Sequence, residues 1–147
     1  MQTKAADAMP AHQTDAMTIL ARWALVPLSG LAVWLAVLLL GIVGYGVLDS
    51  LCPPELMVSG ACTARWHGPG VDALVLLCTA LASAGVVIVP ARVAPGRRFH
   101  VALAAFTVGA VFALYVARGG SLWGPFFAAA LAGSAGLWLV ASRWSAR

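Results

Sequence analysis

Cys52 and Cys62 are the pair whose type and spacing most directly suggest chemistry. They lie ten residues apart on one polar stretch, 51–68, reading LCPPELMVSGACTARWHG. A disulfide there would clasp a short loop and, in the chain-entropy model, stabilise it by about 2.5–3 kcal/mol. Pro53 and Pro54 stiffen the exit from Cys52, and Ser59-Gly60 offers a turn that brings the chain back to Cys62. Catalytic thiol pairs usually sit closer, in CxxC motifs, where strain and a lowered thiol pKa make exchange easy. The wider spacing favours a structural clasp; a redox-active pair is the alternative.

The same stretch holds Pro54, Glu55, Arg65, Trp66 and His67, with Glu55 the only glutamate of the chain. Trp and Arg are the types that most often dominate binding energy at interfaces, so these five residues form the candidate partner-docking set. Cys78 is the odd cysteine. Buried cysteines ordinarily behave as small hydrophobes, although a relay from Cys78 to the loop pair is a second possibility. Metal chemistry has little to work with. Once the cysteines are oxidised, Glu55 and His67 leave too few ligands for a metal centre. No catalytic residue, cofactor or metal is therefore expected, and the sequence leans away from an enzyme.

The elements that must carry this loop are unusually apolar. The 147-residue chain is 62% hydrophobic and 10% charged, with a mean hydropathy of +0.93. Soluble domains average about 45–50% apolar and about 25% charged. A soluble domain of this size could not hide so much apolar surface, because many of its residues must face water. Lipid is the expected solvent and membrane lipid the first expected partner.

Four apolar runs, 24–48, 71–90, 99–117 and 122–141, punctuate the chain. About 20 residues at 1.5 Å each cross a hydrocarbon core of about 30 Å, so each run can span, and the first must tilt or protrude. Their interiors carry no ionisable residue; Asp49, Asp72 and His100 fall at the edges. Helices satisfy the backbone in lipid without a closed barrel. The fold expected is an all-α bundle of four transmembrane helices, with the clasped loop between the first two. Residues 1–13 read as a polar tail and 14–147 as one domain, its first helix capped at Thr14 or Asp15 and kinked at Pro27.

Orientation follows from charge. Lys4 and Arg22 precede the first run, Arg92, Arg97 and Arg98 lie between the second and third, and Arg143 and Arg147 follow the last. The Cys loop carries only Arg65 against Asp49, Glu55 and Asp72, and the last hairpin only Arg118. The positive-inside rule then places both termini in the cytoplasm and the Cys loop outside, where disulfides persist. Trp23 and Trp144 mark the inner interface; Tyr45, Tyr115 and Trp123 mark the outer one. His67 and His100 consequently fall on opposite sides and cannot share one metal or haem. The abundance of Arg, Ala and Gly suits a GC-rich bacterial genome, and so an inner-membrane location.

Small residues indicate how the helices pack. Ala105, Gly109, Ala113 and Ala117 recur every four residues on the third run, and Ala128, Ala132 and Gly136 do so on the fourth. This spacing lets helix backbones approach closely in lipid, and the short turn 118–121 makes the two runs antiparallel neighbours. Gly41, Gly44 and Gly46 form a similar patch late in the first run. The hydroxyls of Thr79, Ser83, Thr107 and Ser134 are expected to bond nearby carbonyls.

Function is approached by exclusion. Cation-coupled transporters keep an acid or base inside a span, and none is present. The basic residues form no stripe, which excludes nucleic acid as a partner. Four-helix quinone-linked thiol oxidoreductases need a tight Cys pair and a partner pair, and this chain is similar to them in helix count alone. A non-enzymatic accessory, assembly or docking subunit is the leading expectation, its partner a membrane or periplasmic protein or further copies of itself. A membrane thiol–disulfide oxidoreductase and an oligomeric carrier of lipid or small solutes are the alternatives.

Overall fold

The computed structural model describes residues 9–144, and the side chains of residues 18–143. Four helices account for nearly all of it: α1 (Met9–Ser50), α2 (His67–Val93), α3 (Arg98–Gly120) and α4 (Trp123–Trp144). Stretches of 33, 27, 23 and 21 residues within them are long and apolar enough to cross a membrane. With large aliphatic and aromatic side chains exposed along all four helices, these stretches have the length and apolar surface that a multi-pass membrane protein needs. In lipid such exposure carries no penalty, because tails are as apolar as leucine.

The helices outrun the hydropathy limits, and α1 does so most. It is continuous from Met9, so Thr14 and Asp15 lie inside it rather than capping it, and the expected tail of residues 1–13 is helical from residue 9 onward. Residues 1–8 and 145–147, which include Lys4 and Arg147, lie outside the described residues, as does the side chain of Trp144. At 1.5 Å per residue the 42 residues of α1 extend about 63 Å, twice the hydrocarbon thickness, so the helix protrudes. Pro27 and Pro90 both sit inside helices. They fall near one level, since a Cβ added at Gly30 would stand 3.6 Å from Pro90 Cγ. Each proline removes one backbone donor; Ser29 bonds the Val26 carbonyl at 2.8 Å, and Ala94 N–H closes on the Pro90 carbonyl at 3.0 Å.

α2 is the hub. α1 and α4 lie along it, while α3 packs on α4 and, less extensively, on α2. Where α1 meets α2, a Cβ at Gly85 would be 2.6 Å from Val33 Cγ1, so only glycine allows that approach. The fully enclosed core is small and sits at the end of the bundle that bears the termini. Val87 and Ala91 of α2, Ala102 of α3 and Val140 of α4 meet there, flanked by Ile88, Phe106 and Leu137. Toward the opposite end the helices diverge and leave open apolar space.

The α3–α4 contact differs from the expected zipper. Gly109 is exposed, and a Cβ added to it would meet no heavy atom within 4 Å. It faces open space rather than α4. Gly136 is buried against α2, where a Cβ would stand 3.4 Å from Ile88 Cγ1 and 3.5 Å from the Ala84 carbonyl. The tight position is Gly133, whose Cβ would fall 2.7 Å from Ser83 Oγ and 2.9 Å from the Phe106 ring. Ala117 is buried, whereas Ala105, Ala113, Ala128 and Ala132 are partly buried. Small residues at equal spacing thus do different things: some admit a neighbour, and others leave a hollow.

Candidate functional site

The loop between α1 and α2 folds as a compact hairpin. A single 3-10 turn, Pro54–Leu56, leads into β1 (Met57–Val58), which pairs antiparallel with β2 (Ala61–Cys62). Ser59 and Gly60 make the reversal with φ of 52° and 82°, the positive pair that a two-residue type I′ turn needs. Gly60 takes this conformation without steric cost. The register places Met57 opposite Cys62, and Cys62 bonds back to Cys52 with a Cα–Cα distance of 6.0 Å. Thr63 locks the base, donating from both its N–H (3.0 Å) and its hydroxyl (2.8 Å) to the Leu56 carbonyl.

Beneath the hairpin, α1 and α2 are tied a second time. His67 Nε2 lies 3.2 Å from Asp49 Oδ1. Both atoms are shielded from solvent and neither makes a hydrogen bond, so the contact is a close electrostatic pairing. The imidazole is held edge-on between Tyr45 and Trp66, at ring-centroid distances of 6.0 Å and 5.8 Å. Only 8% of His67 is exposed. It stands at the start of α2, so the pairing fixes where the second helix begins relative to the end of the first.

The five candidate docking residues therefore divide. Pro54, Glu55, Arg65 and Trp66 are exposed on the hairpin and its base. His67 is turned inward and acts as a positioning residue. Leu51, Leu56, Met57 and Val58 join the exposed set; they are ordinary loop hydrophobes in the sequence, and only the hairpin register brings them onto one projecting unit.

Cys78 is a free thiol. It lies eleven residues into α2, about 16 Å along the helix from His67, and faces α1, where a Cβ at Gly41 would stand 3.5 Å from its Sγ. Thiol–disulfide exchange needs the attacking sulfur to reach the disulfide. The helix depth holds Cys78 away from the Cys52–Cys62 bond, and the two are not brought together. Among the described residues, no three of His, Cys, Asp and Glu converge in a way that could hold a metal. Glu55 projects from the 3-10 turn, while His67 is occupied by Asp49.

Deep hydroxyls bond carbonyls. Thr79, Thr107 and Ser134 donate to carbonyls four residues back, on Val75, Leu103 and Ala130, at 2.6–2.8 Å. Ser83 instead crosses from α2 to the Ala129 carbonyl of α4 at 2.7 Å. That bond lies beside Gly133, which explains why the glycine is needed there.

Comparison with known proteins returned no matching family model, no matching curated protein and no matching solved structure. The functional reading rests on the residues themselves.

Proposed function

We propose that this chain is a non-enzymatic accessory or assembly subunit of a bacterial inner membrane, which holds a protein partner on its clasped hairpin. The observation that carries this reading is the hairpin's apolar projection. Leu51 is 64% exposed, Val58 59% and Trp66 42%, with Leu56 and Met57 close by. Exposed apolar clusters rimmed by polar residues mark interaction surfaces, and Glu55 and Arg65 supply that rim. The disulfide and the Asp49–His67 contact preorganise the surface, which lowers the entropy cost of binding. The positive-inside pattern supports cytoplasmic termini and an outward-facing hairpin, in a compartment where the Cys52–Cys62 bond persists.

The test is co-purification from native membranes in mild detergent, with partners identified by mass spectrometry. Trp66→Ala should release the partner while leaving expression, folding and the disulfide unchanged. Cys52→Ser should weaken the same complex by loosening the hairpin. A complex that survives both substitutions unchanged refutes the docking role.

A further inference from the structure

Two apolar hollows open on the flank of the bundle, where the helices diverge toward the hairpin end. The first, of about 420 Å³, lies among α2, α3 and α4, with Gly109, Ala113 and Phe126 in its wall. The second, of about 490 Å³, lies between α1 and α2, with Gly41, Tyr45 and Leu74 in its wall. Both fall within the range of ordinary ligand sites, about 300–1,000 Å³. Trp34, Val75, Thr79 and Ala82 belong to both walls, so the hollows flank one shared ridge.

Their chemistry is graded from one end to the other. The hydroxyls of Thr79 and Ser83 are already engaged with the Val75 and Ala129 carbonyls, so a ligand meets hydrocarbon along its buried length. The wall of the first hollow runs along α3 from Ala105 to Ala117. That is about 18 Å by helical rise, close to one leaflet of a core about 30 Å thick. Charged and phenolic groups appear only toward the hairpin end. Ala117 and Leu122 belong to the first hollow's wall at that end, and Arg118, next to Ala117 in the chain, is an exposed cation in no ion pair among the described residues. The second hollow reaches Tyr45 at the same end.

We propose that the hollows hold one anionic diacyl phospholipid drawn from the leaflet on the hairpin side, with a chain on each side of the Trp34 ridge and the headgroup at Arg118. Two hollows with a common wall match two chains on one glycerol. The unpaired arginine next to the wall favours a net-anionic headgroup over a zwitterionic one, in which a choline cation offsets the phosphate charge that the guanidinium would pair with. Gly109 and Ala113 then serve to leave room for a chain, not to bring helices together.

The experiment is native mass spectrometry of the full chain in mild detergent, after incubation with dioleoyl phosphatidylglycerol or dioleoyl phosphatidylcholine. One phosphatidylglycerol should be retained per chain, in preference to phosphatidylcholine by about fivefold or more, a difference of the size that one ionic contact supplies. Ala113→Phe, which fills the first hollow, should cut retention by about tenfold. Gly109→Leu should act the same way, and its Cβ enters empty space, so one of the two should fold. Arg118→Gln should keep bound lipid but lose the preference for the anionic headgroup. Leu131→Phe, on a residue 73% exposed on the outer face of α4, should change neither reading. Equal retention of both lipids by the native chain overturns the proposal, as does phosphatidylglycerol retention unaffected by Ala113→Phe and Gly109→Leu. A lipid-free dimer, in which a second copy covers the hollows, overturns it as well.

Discussion

Asp49 Oδ1 and His67 Nε2 lie 3.2 Å apart where α1 ends and α2 begins, both shielded from solvent and neither in a hydrogen bond. Eighteen residues separate them in sequence, and the hairpin brings them together. This contact and the Cys52–Cys62 bond hold the hairpin at two points, one at its neck and one beneath its base. Removing one member of a shielded polar pair strands the other, at a cost of about 1–3 kcal/mol. His67→Phe should therefore destabilise the protein by about 1–3 kcal/mol, with the Asp49 oxygen left unpaired. Asp49→Leu combined with His67→Phe should recover part of the loss. Unfolding in detergent across the double-mutant cycle measures the coupling, expected at about 1 kcal/mol.

The clasp has its own signature. Peptide mapping without reduction should find Cys52 joined to Cys62, and Cys78 alone should be alkylated after unfolding. Cys52→Ser combined with Cys62→Ser should lower stability by up to about 2.5–3 kcal/mol, the loop-closure value. Pairing of Cys78 with either loop cysteine would restore the redox alternative.

Packing predictions turn on two glycines of opposite character. Gly133→Leu drives side-chain atoms into Ser83 and Phe106 and should cost about 1–3 kcal/mol or more, the usual range for overpacking. Gly109→Leu projects into open space and should be nearly neutral in stability. Thermal melts in one detergent compare the pair directly. Equal losses would mean that α3 and α4 approach at Gly109 after all.

These glycines show where sequence reasoning reached its limit. The clasped loop and its Ser-Gly turn were legible because their signals are local, paired prolines and two cysteines at loop spacing, whereas the short strand pairing within it was not. The four spans were legible because hydropathy marks them. Their ends were not, since helices such as α1 continue past the apolar run into polar residues that still favour a helix. Lipid also removes the usual clue to packing. A spanning helix is apolar on every side, so no stripe announces that α2 is the hub, and Gly109 and Gly133 look alike until their neighbours are known. The Asp49–His67 contact was hidden for another reason: it depends on the loop's path, which no spacing rule encodes. His67 accordingly moved from the docking surface to its support.

Sidedness is open to chemical labelling. The hairpin tip and the α3–α4 turn lie at one end of the bundle, and the α2–α3 turn at the other. Cysteines introduced at Ser59 or Gly119 should react with a membrane-impermeant maleimide from outside intact cells, and one at Gly96 should react only after permeabilisation. Labelling of Gly96 from outside would invert the orientation and place the hairpin in the cytoplasm.

The central claim is that the hairpin docks a protein. Site-specific photo-crosslinking tests it most directly, with a photoreactive residue at Val58 on the hairpin and, for comparison, at Leu131 on the exposed outer side of α4. The account predicts a single discrete protein adduct from Val58, lost in Trp66→Ala, and none from Leu131. No adduct from Val58, or one that persists in Trp66→Ala and appears equally from Leu131, would contradict it.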